Sequence, residues 1–160
     1  MKKLIFGSSI AVALLLSGCN ESEDTTQAVE KKVVQKAPET IDWKSEVQKL
    51  ADGDGSPTEK HDATYMLVKQ ANLSKKEIIL FEKELVKDYK SGNYLSFKDD
   101  QTALMRIFKS VAIEKNTDNA AMKSFSFDFY QNVKYVYRGV ESPTSEAVKS
   151  NEDQMNDALK

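Results

Sequence analysis

The chain has 160 residues, 23 Lys plus Arg against 25 Asp plus Glu, one cysteine and one histidine. That length fits one compact domain. The slight excess of acids speaks against nucleic acid or an anionic membrane face as partner, since both call for clustered positive charge. A single cysteine rules out an internal disulfide, so an exported domain would be held by its core alone.

Met1-Lys2-Lys3 is a short cationic start, followed by an apolar run from Leu4 to Leu16 that only Gly7, Ser8 and Ser9 interrupt. This is the layout of an export signal over residues 1–18. Thirteen helical residues rise about 20 Å, short of the roughly 30 Å hydrocarbon core, so the run makes a poor permanent membrane span. It ends in Leu16-Ser17-Gly18-Cys19. An aliphatic residue, two small residues and a cysteine in that order closely resemble the lipobox of bacterial lipoproteins.

The resemblance covers the first nineteen residues. It implies a diacylglyceryl thioether on the Cys19 sulfur, signal cleavage between Gly18 and Cys19, and commonly an acyl chain such as palmitate on the new amino terminus. One acyl chain binds a membrane only marginally, whereas two or more anchor stably. The expected location is therefore the outer membrane or the outer face of the cytoplasmic membrane, with the membrane itself a partner through the lipid. Asn20, rather than Asp, after the anchor resembles the outer-membrane pattern of Gram-negative lipoproteins. Cleavage would leave 21 basic against 25 acidic side chains, a net charge of −4.

Residues 19–40 carry Glu21, Glu23, Asp24, Glu30, Lys31 and Lys32 and no aromatic side chain. Such a segment buries too little apolar surface to offset the entropy of ordering, and reads as a disordered, solvated tether. Fully extended it would reach about 70 Å.

From Ile41 the pattern turns helical. Trp43, Val47 and Leu50 form a short apolar stripe that stops at Asp52-Gly53-Asp54-Gly55. Ser56-Pro57-Thr58-Glu59 then reads as a capping box with Pro at the first helical position. The helix it starts is expected to face Ala63, Met66, Leu67 and Gln70 one way. Ser74-Lys75-Lys76-Glu77 is a second capping box, before Ile78, Phe81, Leu85 and Tyr89, and Ser91-Gly92-Asn93 ends that helix. A fourth helix runs from Ser96 or Asp99 to Lys115 on Leu104, Ile107, Phe108 and Val111. After a turn over 116–119, in which Asp118 can cap, Met122, Phe125, Phe129, Val133, Val136 and Val140 recur at three and four. Phe125, Phe127 and Phe129 also alternate as a strand would; the length and the helical matches favour helix. Gly139 and Pro143 close it. The polar segment 141–160 sets Val148, Asn151, Met155 and Leu159 on one side and reads as a weak final helix that docks or frays. The expectation is an all-α domain over 41–140, a small bundle of about five short amphipathic helices.

No residue set makes a convincing catalytic or metal-binding constellation, and no cofactor is expected. Asp52-Gly53-Asp54-Gly55-Ser56 opens like a calcium loop, but the sixth position is Pro57 rather than glycine and the twelfth Ala63 rather than glutamate. That leaves an ordinary turn as the favoured reading, with an ion sensor the lowest-ranked. His61, near Glu59 and Asp62, lacks the further His or Cys a metal would need and reads as an exposed helix residue. Paired carboxylates such as Glu82 and Glu84, or Asp99 and Asp100, could serve an envelope enzyme acting on cell-wall sugars. Among 25 acids, however, each is more simply a solvated group.

The aromatic cluster is the most suggestive feature. Phe125, Phe127, Phe129, Tyr130, Tyr135 and Tyr137 fall within thirteen residues and point around more than one face of a helix. If Phe127, Tyr130 and Tyr137 lie outside the core, they and Arg138 form an aromatic patch of a kind common at protein interfaces. The competing reading covers all of them with neighbouring helices. The expected function is a lipid-anchored, non-catalytic module that binds a protein partner or serves as an accessory subunit. The alternative is the cell-wall enzyme.

Overall fold

The computed structural model describes residues 41–160. Residues 1–18, read as an export signal, and residues 19–40, read as a tether, with Gly18 and Cys19 among them, lie outside the described residues. The architecture is all-helical: α1 (Trp43–Asp52), α2 (Pro57–Gln70), α3 (Lys75–Lys90), α4 (Asp100–Asn116), α5 (Ala120–Tyr137) and α6 (Glu146–Ala158), with no strand among the described residues. The expected bundle of about five gains a sixth helix because the polar C-terminal segment forms α6.

Local chemistry sets the helix ends. Both capping boxes form: Ser56 and Ser74 accept from the backbone of Glu59 and Glu77, whose carboxylates return to the serine N–H groups at 2.8 Å. Asp99 caps α4 through Thr102. The cap of α5 is Asn119, which accepts from Ala121 and Met122, rather than Asp118. Gly92 and Gly139 stop α3 and α5 at φ of +74° and +69°, a region that disfavours any Cβ. The Gly139 stop puts Val140 beyond α5, where it is exposed rather than on the apolar face assigned to it from spacing.

Helix α4 is the centre. Leu104, Ile107, Phe108, Val111, Ala112 and Ile113 are fully enclosed, and α1, α2, α3 and α5 all pack against it. Trp43 of α1 stacks on Phe108 at 4.4 Å between ring centroids and meets Phe81 of α3 edge-on at 5.3 Å. Phe125, Phe129 and Val133 close the α5 side.

Helix α2 is turned away from the stripe expected of it. Its buried residues are Lys60, His61, Thr64, Leu67 and Val68, while Met66 and Gln70 are exposed. Three of the five are polar, and each has a partner that makes burial tolerable. Lys60 donates to the Ala51 carbonyl at 2.8 Å and to Asp100 at 2.6 Å, Thr64 donates back to the Lys60 carbonyl, and His61 is bonded on both nitrogens.

Helix α6 docks on α5 through Val148 and Met155 and through a polar clamp. The Asn132 amide donates to the Tyr94 hydroxyl at 2.9 Å and the Val148 carbonyl at 3.1 Å, and its oxygen accepts from Asn151 at 2.7 Å. The Tyr94 hydroxyl in turn donates to the Glu152 carboxylate at 3.0 Å. Asn132→Ala strands these groups, at about 1–3 kcal/mol for each one left buried and unpaired. The Tm should fall, and hydrogen exchange should show amides 148–158 losing protection before those of α4. Unchanged protection in α6 would mean that Val148 and Met155 alone hold it.

Candidate functional site

The aromatic residues singled out from the sequence do not share one exposed patch. Phe127 is 46% exposed and Tyr130 only 8%. Tyr137 is half-buried, edge-on to Phe97, and Arg138 donates to Thr58 at 3.2 Å across the α2–α5 contact. The face that Tyr130 borders is instead shared with Tyr65 and Tyr135. Lys115 and Lys69 lie over the Tyr65 ring, and Lys134 lies between the Tyr130 and Tyr135 rings.

His61 is 5% exposed rather than solvated. Its Nδ1 is 2.8 Å from Asp62 Oδ1 and its Nε2 is 2.9 Å from the Tyr130 hydroxyl. An ionised carboxylate only accepts, so Nδ1 carries the proton and Nε2 accepts from the phenol. Burial pulls the imidazole below its usual 6.5, against the pull of the Asp62 hydrogen bond, and Arg138 and Lys134 act with burial. Burial likewise pushes the Tyr130 hydroxyl up to about 12. The array has the order acid, imidazole, hydroxyl, yet it ends on an enclosed phenol that keeps its proton at neutral pH. Its effect is to lock α2 to α5.

The other candidate groups are likewise occupied. Glu82 accepts from Thr117 at 2.6 Å and Glu84 pairs with Lys109 at 2.8 Å; Asp99 caps α4 and Asp100 holds Lys60. Asp52 to Ser56 is the exposed turn between α1 and α2. Among the described residues, no three His, Cys, Asp or Glu side chains converge as a metal would need.

One hollow, of about 400 Å³, opens beside Tyr130 over Tyr65 and Met66, and a larger one forms a groove along α3. Phe81 and Leu85 turn α3 onto α4, and Glu84–Lys109 at 2.8 Å and Asp88–Arg106 at 3.2 Å tie down that flank. Such half-exposed ion pairs are each worth no more than about 1 kcal/mol, so the apolar contact supplies the energy and the pairs set the lean. On the opposite flank α3 stands away from the start of α5. A hollow of about 810 Å³ opens there over Val86 and Met122, with Lys83, Lys87 and Lys90 on its rim. A second, of about 230 Å³, continues it past Ile79 towards Lys75, sharing Glu82 and Asn119 with the first. Ile79 is 51% exposed, and Leu80 beside it 50%.

Of the groove residues, sequence spacing marks Met122 as part of the α5 stripe and Glu82 as one of many acids, and it does not point to Ile79, Val86 or the lysines as a site. The available signal was apolar surplus: Ile79 and Val86, seven apart, lie off the stripe of Ile78, Phe81, Leu85 and Tyr89 that fills the core.

No protein-family model, curated protein or solved structure matches the chain. No helix among the described residues is long and apolar enough to cross a membrane.

The His61 geometry fixes the direction of a pH effect. Its folded-state pKa lies below 6.5, so the unfolded chain takes up the proton first as pH falls below about 6.5. Stability is then lost progressively until the folded-state pKa is reached. Buried Asp128, whose carboxyl is raised by burial, acts in the opposite sense and in the window above 3.8. The Tm should therefore drop between pH 7 and 5.5, and His61→Gln, which cannot titrate, should flatten that slope. An equal slope in the variant would assign the loss to other groups.

Proposed function

We propose that this protein is a lipid-anchored, non-catalytic module of the bacterial envelope that holds a protein partner in the groove along α3. The observation that carries the reading is the groove itself. An open hollow of about 810 Å³ with Val86 and Met122 on its floor runs into a smaller one past exposed Ile79, and open apolar surface of this kind marks sites that another molecule covers. The lipobox at Cys19 supports placement at the membrane, on the outer membrane or the outer face of the cytoplasmic membrane. The carboxylates that an enzyme acting on the cell wall would use are engaged in caps, ion pairs and hydrogen bonds, so that alternative gains no support.

Two measurements test the two halves of the proposal. Cys19→Ser should abolish labelling by a palmitate analogue and move the protein from the membrane fraction to the soluble fraction. Continued membrane retention without label would remove the anchor from the account. A photoreactive phenylalanine at Ile79 of the full lipidated chain, in the cells that make it, should give a discrete protein adduct. The same probe at Lys149, on the outer face of α6, should give none. Adducts at Phe127 and not at Ile79 would move the interface to α5.

A further inference from the structure

Resting on the reading that the α3 groove binds a protein, we infer that its occupant is an amphipathic helix of a partner protein, bearing Asp or Glu along the flank that meets Lys83, Lys87 and Lys90. Charge complementarity carries the assignment. The three lysines stand at i, i+4 and i+7, in one row beside the apolar floor. None has a carboxylate within ion-pair distance among the described residues, whereas Lys60, Lys75 and Lys109 each do. The carboxylate inside the larger hollow, Glu82, is turned to Thr117 at 2.6 Å. The smaller hollow adds Asp118, which lies 3.7 Å from Lys75.

At the start of α5, Asn119 and Met122 line the groove; the first turn carries no acidic residue, and Asp118, just before the cap, is the carboxylate at that helix end. In a domain with more acids than bases, the groove is thus a local cationic strip over an apolar floor.

Dimensions favour a helix over a flat surface. The hollows follow α3 from Lys75 to Ser91, about 24 Å, or four to five turns of a facing helix. Ile79, Val86 and Met122 would take its apolar stripe, and the thioether of Met122 can adapt to the side chains it meets. A bilayer is planar and would bridge a concave strip rather than fill it. The apolar floor gives the affinity, and the lysine row selects the sign of charge on the partner and the direction in which its helix lies.

The adduct at Ile79 supplies the test. Mass spectrometry of the cross-linked peptide should give a partner segment with apolar residues at three and four and two or more acids on one side. Lys83→Glu with Lys87→Glu should lower adduct yield by about tenfold or more. Lys83→Arg with Lys87→Arg should retain it and show that the sites tolerate substitution. Replacing the partner's acids by Lys should recover the yield in the charge-reversed chain. A protein adduct whose peptide lacks acids, or whose yield ignores charge reversal, overturns this inference and leaves the protein-binding reading standing. A peptide from residues 20–40 of the chain itself, a second copy, or an adduct to lipid overturns it as well. The absence of any adduct overturns both.

Discussion

Everything in this domain is arranged around one buried helix. With Leu104, Ile107, Phe108, Val111, Ala112 and Ile113 fully enclosed, α4 cannot reach solvent on any broad face, and four helices must cover it. Burial of such side chains contributes about 1.5–3 kcal/mol each, far above the worth of any surface ion pair here. Trp43 stacking on Phe108 brings α1 to this helix and Phe81 to both. Lys60, bonded to Asp100 at the first turn of α4 and to the end of α1, fixes the position of α2. An unpaired Lys60 in that place would cost several kcal/mol.

Because α3 and α5 each satisfy α4, they have little need of one another. Tyr89 meets Phe125 where the two helices touch, with ring centroids 5.5 Å apart. Beyond that point α3 follows its ion pairs to Lys109 and Arg106 and leaves its other flank open. The groove is thus a by-product of covering α4, and its lysine row gives that by-product chemical character. On the Tyr130 face, Lys115 and Lys134 are set on tyrosine rings and the Tyr130 hydroxyl is bonded to His61.

Much of the helical layout is legible in the chain. Ser56 with Glu59, Ser74 with Glu77, and Gly92 are local devices whose partners lie within four residues, so sequence spacing alone reveals them. The apolar stripes of α1, α3 and α4 are legible for the same reason. What escapes reading is burial paid for by distant hydrogen bonds: Lys60 finds Asp100 forty residues on, and His61 finds Tyr130 across sixty-nine. The stripe of Val148 and Met155 by which α6 docks is legible, but its polar clamp escapes likewise, since Asn132 and Tyr94 look like surface residues until Asn151 and Glu152 are brought to them. Phe127 and Tyr130 show the limit of composition. Three residues apart on one helix, one faces solvent and the other the core. The groove was hidden because it depends on where α3 leans, which no single helix records.

The decisive measurement is hydrogen–deuterium exchange of the full chain in membranes of the cells that make it, set against the same chain purified away from its neighbours. With a partner seated on α3, the cellular setting adds protection over residues 79–90 and 117–123 and leaves α6 and the Tyr130 face unchanged. Added protection confined to residues 123–138, or none anywhere, would contradict that seating.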